Sequence, residues 1–290
     1  MLELSSRGAL FGALATARRV DLAAYTLESG RLIDALGDAA RRGADVHVSL
    51  EAGPYARDSI RAAALRERNE ATAARLRAHG VRVRLAHAPE APLHMKAAVV
   101  DATLFLDERN WPAAGSDTIV RTTARAAVTA ARATIAGRAA SAPALALRKD
   151  RALADEARLI AGTRSDRIDC ESESFSASSV SRALLGAARH GRHVRLLVAS
   201  RELHGAGGRR ERSALRTLRH AGVDVRASRS DEKFCVTGES AWLGSANATA
   251  GAPHTVDWGA RTRRPELVAV LERRFEANWA AADRLALPAP

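Results

Sequence analysis

Lysine is nearly missing from this chain: of 45 basic residues only Lys96, Lys149 and Lys233 are not arginine. Where arginine serves for almost any cation, a remaining lysine marks a place that wants a compact ammonium on a flexible stem instead of a planar fork. Aromatic residues are also scarce, at 4%. That argues against a stacking groove for single-stranded nucleic acid and makes Trp111, Trp242, Trp258 and Trp279 packing residues. Apolar runs are short and broken by Arg or Asp, well under the roughly 20 residues of a membrane-spanning helix. The first residues, MLELSSRGALFGALATARRVD, have too short an apolar stretch for a secretory signal and are expected to form a helix of a cytoplasmic protein. There are two cysteines, Cys170 and Cys235, each inside an apolar segment. They are expected as buried thiols, with no disulfide framework and no metal site.

What the chain has is a hydrophobic share of 47%, enough for a sizeable core, and a formal charge of +12. The charge suits a polyanion such as nucleic acid or, through peripheral contact, an anionic membrane surface, although the arginine bias explains it equally well. The chain also repeats itself. Val20-Asp21-Leu22, a helix-like run and RRGADVHVSL resemble Ile168-Asp169-Cys170, a similar run and RHGRHVRLLV. LRAHGVRVRL then matches LRHAGVDVRA, and HMKAAVVDATLFLDERN matches DEKFCVTGESAWLGSAN, in the same order. Order kept through drifting offsets is the mark of duplication.

Apolar β-branched words alternate with Ala/Arg/Leu stretches of helical period. Each copy therefore reads as strand, helix, strand, long helix, strand, a hairpin-like pair of strands and a final helix. The expected fold is α/β: two pseudo-twofold-related units, each a mixed sheet covered by helices, spanning 1–150 and 151–290.

The sharpest motif is His94-x-Lys96-x-x-x-x-Asp101, with Asn110 beyond it. The second copy offers Asp231-x-Lys233 and then Gly244-Ser245-Ala246-Asn247, with the same Lys-to-Asn spacing, 96 to 110 and 233 to 247. On a strand, residues two apart share a face, so the His94 imidazole and the Lys96 ammonium can converge on one phosphoryl group. These residues resemble the phospholipase D superfamily, marked by HxKxxxxD followed by GSxN, usually present twice. Each copy departs in a different place. The first has Asp107-Glu108-Arg109-Asn110 where GSxN is usual; the second has Asp231 for the His and Gly238 for the Asp.

The resemblance implies a metal-independent, cofactor-free phosphodiesterase or phosphatidyltransferase that is monomeric and acts through a phosphohistidine at His94. Lys96, Asn110, Lys233, Ser245 and Asn247 would hold phosphate where the copies meet. Asp117 is the expected orienter of His94, with Asp257 its counterpart in the second copy, and Asp101 is expected to hold the motif's loop. Phospholipid is favoured over nucleic acid as substrate. Asp231 stands where a second His would serve as general acid and base, a poor substitute at an ordinary carboxyl pKa. His204 or His254 could take over that role, or the chain could bind phosphate without turnover. The Arg209-Arg210-Glu211-Arg212 run is read as a solvated helix start.

Overall fold

The computed structural model describes residues 2–55, 59–88, 90–111, 118–204 and 208–285. The chain divides into two units: residues 1–148 with the detached segment His254–Trp258, and residues 149–253 with Gly259 onward.

The first unit is a seven-stranded mixed sheet. Three strands, β2 (Arg19–Ala24), β3 (Asp45–Glu51) and β4 (Arg82–Ala86), run parallel. Parallel neighbours need crossovers, and these are α2 (Gly30–Arg41) and α3 (Ser59–Ala78). The antiparallel half is β5 (Ala97–Val100), β6 (Thr103–Asp107), β7 (Ile119–Thr122) and the N-terminal β1 (Glu3–Ser5). The order across the sheet is β1-β7-β6-β5-β2-β3-β4. Helices α1 (Arg7–Thr16) and α4 (Arg125–Ile135) complete the unit.

Helix α2 shows why the local sequence folds as it does. The Ser29 hydroxyl accepts from the Leu32 amide, capping the helix. Leu32, Ile33, Leu36 and Ala39 then recur on one face and are buried with Val20, Leu22, Val46 and Val48 in the unit's core.

The second unit repeats the design: β8 (Arg167–Ser172), β9 (His193–Ala199) and β10 (Asp224–Ser228) are parallel, and β11 (Phe234–Thr237), β12 (Ser240–Gly244) and β13 (Gly259–Thr262) antiparallel. Its order, β13-β12-β11-β8-β9-β10-β14, matches the first sheet except that the extra edge strand, β14 (Asp283–Arg284), joins the opposite end. The helices are α5 (Lys149–Gly162), α6 (Ser179–Arg189), α7 (Arg209–His220) and α8 (Pro265–Ala281), with a short 3-10 turn over Ser200–Leu203. The third antiparallel strand of each copy, β7 and β13, exceeds the expected hairpin; each is only four residues long, so no period announces it. Gly259 opens β13 against α5, where a side chain would meet the Ala152 Cβ at 2.7 Å.

The cysteines correct one expectation. Cys170 on β8 and Cys235 on β11 are joined as a disulfide. The two strands are antiparallel neighbours, and their register puts the residues directly opposite, with Cα atoms 4.0 Å apart. Sequence spacing carries no register, so the pairing was invisible there.

Beside the disulfide lies Glu156 of α5, within 4.8 Å of both sulfurs. Burial pushes its carboxyl from an ordinary 4.5 up to about 8. The folded chain keeps this proton while the unfolded chain releases it near 4.5. Stability should therefore fall as pH rises between those values, by at most roughly 1.4 kcal/mol per pH unit. Urea melts at pH 5, 7 and 9 are expected to show this loss in the native protein and a flatter dependence in Glu156→Gln.

Candidate active site

His94 and Lys96 lie in the extended stretch just before β5, and the side chains around them come from several parts of the first unit. Segment 254–258 runs alongside the approach to β5: the Val256 amide donates to the Pro92 carbonyl at 2.9 Å and the His94 amide to the Val256 carbonyl at 2.9 Å. Trp258, fully buried, fixes the segment's far end by donating from Nε1 to the Asp107 carbonyl on β6 at 2.8 Å. Asp257, 1% exposed, is thereby aimed at the imidazole, and its Oδ1 lies 2.8 Å from His94 Nδ1. The natural proton assignment puts hydrogen on Nδ1, donated to the carboxylate.

Lys96 is 1% exposed. Its Nζ lies 2.9 Å from His94 Nε2 and 3.1 Å from Nδ1. A point so close to both nitrogens and in the ring plane would overlap Cε1, so the ammonium lies over the ring face. Tyr25, which follows β2, meets the His94 ring edge to face at 4.9 Å and lies 5.7 Å from the Lys96 ammonium. Its hydroxyl donates to the Tyr55 carbonyl at 2.7 Å.

From the other side, the buried Glu51 at the end of β3 accepts from the Leu93 amide at 2.6 Å and the Gly53 amide at 2.8 Å. This fixes the backbone immediately before His94. Asp107 is wholly buried, and burial, opposed by the Arg109 amide and by the Arg109, Arg7 and Lys96 charges, pushes it up to about 6. Asn110, half-buried, has its Oδ1 enclosed and unbonded.

Asp101 stands at the opposite end of β5, exposed, with φ of 48°. Its Oδ1 accepts from the Arg18 and Arg19 amides at 3.1 and 2.9 Å, which ties the β5–β6 turn to the start of β2. Gly238 fills the same turn in the second copy at φ 63°. The position asks for a left-handed backbone, and Asp and Gly are two residues that tolerate it.

In the second unit, Lys233 is 2% exposed, donates to the Asp231 carbonyl at 2.9 Å and pairs with Glu173 Oε2 at 3.0 Å. Arg201 bridges the carboxylates of Glu173 and Asp231. Burial opposes the Arg201 charge, yet the two carboxylates outweigh it and hold the guanidinium above its ordinary pKa. Asn247 donates to Glu173 Oε2 at 3.4 Å and accepts from the Ser174 amide at 3.2 Å. Ser245 is fully buried.

The family described as "Cardiolipin synthase, PLD-like domain" matches residues 13–120 and 157–279. This chain belongs to that family. It is thus a member of the phospholipase D superfamily. Among solved structures, the PLD-like fold is shared with phosphatidylserine synthase from Haemophilus influenzae Rd KW20 at TM-score 0.67 and 12% identity, covering 98% of this chain and 87% of that one. Polyphosphate kinase from Porphyromonas gingivalis gives TM-score 0.67 at 15% identity over 97% of this chain, which spans only 47% of the kinase. The yeast tyrosyl-DNA phosphodiesterase H432N_Glu mutant gives 0.53 at 10% identity, covering 91% of this chain and 88% of that one. No curated protein matches by sequence.

The carboxylate bonded to His94 in this PLD-like chain is Asp257, the residue expected to serve the second copy. Asp117, expected in that role, lies outside the described residues. The reason is topological: the loop before β13 leaves its own sheet and packs in the other unit, so the acidic residue of one copy serves the histidine of the other. Tyr25, Glu51, Glu173 and Arg201 went unnoticed in the sequence, although aligning VDLAAYT with IDCESES already places Tyr25 opposite Glu173. His254 is exposed and meets Arg148 through Nδ1 at 3.2 Å; His204 is exposed after the 3-10 turn.

Asp257→Asn should lose the preference for hydrogen on Nδ1. Nitrogen NMR of the His94 ring is expected to show the tautomer balance shift, with hydrolysis of an aryl phosphodiester falling on the order of 10³-fold.

Proposed function

We propose that the protein is a phosphoric diester hydrolase or phosphatidyltransferase in which His94 Nε2 attacks phosphorus. The observation that carries this reading is the buried Asp257–His94 pair, with the Lys96 ammonium over the ring. A carboxylate fixes the nucleophile's tautomer, and a cation waits where a phosphoryl oxygen would gain charge. In the first step the Nε2–P bond forms as the P–O bond to the leaving group breaks. Water or an alcohol then attacks phosphorus and releases the histidine.

Asp231 carries a carboxylate where the second copy would need a proton donor, and that carboxylate accepts from Arg201. The first step should then depend steeply on how readily the leaving group departs unprotonated. The second step, without an imidazole base, should be slow. Diesters with phenolic leaving groups are expected to turn over faster than dialkyl ones and to give a burst with an accumulating adduct. Lys233, Ser245 and Asn247 are proposed as the second copy's counterpart of the cradle.

Phospholipid is favoured over nucleic acid as substrate. The family description points that way, and Tyr55 and Ile60 in the first unit are 77% and 78% exposed, two large apolar side chains of the kind that enter a lipid interface. The Tyr25–Tyr55 hydrogen bond links the first of them to the residue packed on His94.

Mass spectrometry after a rapid mix with bis(p-nitrophenyl) phosphate is expected to show a phosphoryl adduct on His94. Both adduct and burst should be absent from His94→Ala. Phosphate binding with neither adduct nor turnover would instead identify a binding protein that has lost its chemistry. Faster turnover of oligonucleotides than of phosphatidylglycerol vesicles would overturn the lipid preference.

A further inference from the structure

The two copies treat their motif lysines differently. In the first unit, the aromatic ring of Tyr25 borders Lys96. In the second, the equivalent position after the first parallel strand is Glu173, and its carboxylate collects the groups that would otherwise face a phosphate. Lys233 pairs with Oε2 at 3.0 Å, Asn247 donates to the same oxygen, and Arg201 pairs with Oε1. A lysine from the DxK strand and the asparagine of the GSAN loop thus converge on one carboxylate oxygen.

We infer that Glu173 is a built-in substitute for phosphate: an internal anion that fills the second copy's cradle and keeps it from binding a phosphoryl group. This rests on the reading of Lys233 and Asn247 as a phosphate cradle, the one proposed above.

A carboxylate meets an ammonium and an amide much as two phosphoryl oxygens do, in charge-assisted hydrogen bonds. Being part of the chain, it needs no association from solution and is present at high effective concentration. The surroundings hold it there. The disulfide joins Cys170, three residues before Glu173, to Cys235, two residues after Lys233. Arg201 ties Glu173 to Asp231, the residue that replaced the histidine. The missing general acid and the filled cradle therefore belong to one arrangement, and the second copy donates its acidic loop to the first unit without offering an anion site of its own.

The test is calorimetric titration of inorganic phosphate into the full chain in a His94→Ala background, where no turnover intervenes. Replacing Glu173 by Gln or Ala should add a second phosphate per chain, or tighten binding at least about tenfold. Glu173→Asp, which keeps the charge, should not, and adding Lys233→Ala to Glu173→Gln should remove the gain. Circular dichroism melts check that each variant folds. Folded Glu173→Gln and Glu173→Ala proteins that titrate like the parent would overturn the inference, as would a gain that survives Lys233→Ala. Because the readout is phosphate binding without chemistry, a failure here is distinct from failure of the phosphohistidine reading, which the adduct experiment decides.

Discussion

The first unit is organised around the hydrogen bond between His94 and Asp257. Neither residue could hold it alone. Asp257 is nearly inaccessible to water, and a buried carboxylate is costly unless its oxygens are bonded. The bond therefore requires a backbone that cannot drift: two amide hydrogen bonds between segment 254–258 and residues 92–94, the buried Trp258 indole on β6, and the Glu51 carboxylate gripping the Leu93 amide. Removing any of these leaves a buried polar group unpaired, and such losses usually exceed the value of the bond itself. The geometry that aims Asp257 at the His94 imidazole is also the geometry that satisfies the local polar groups.

That interaction makes the repeat interdigitated. The acidic loop of the second copy is built from second-copy sequence, but it completes the first unit. The second copy has diverged in step, with Asp231 in place of histidine, Glu173 opposite Tyr25, and Arg201 neutralising both carboxylates. Lys233 remains because, buried at 2% exposure, it has a carboxylate to satisfy it.

Much of this was legible in residue order. The duplication follows from words that recur in sequence, the parallel halves of both sheets from alternating strand and helix periods, and the pairing of His94 with Lys96 from the two-residue repeat of a strand. The shortage of lysine singled out Lys96 and Lys233, one in each unit, before any coordinates existed. The short strands β7 and β13 were not legible, because four residues have no usable period. Nor was the Cys170–Cys235 disulfide, because opposition across β8 and β11 depends on register.

The amino-acid sequence by itself thus determined the family and the two-unit α/β fold, since both rest on local patterns and spacing. Only the tertiary structure decided which carboxylate orients His94 and which one occupies Lys233. Both choices depend on chain segments far apart in sequence meeting at hydrogen-bond distance, and no one-dimensional pattern records where a loop leaves one sheet to pack with another.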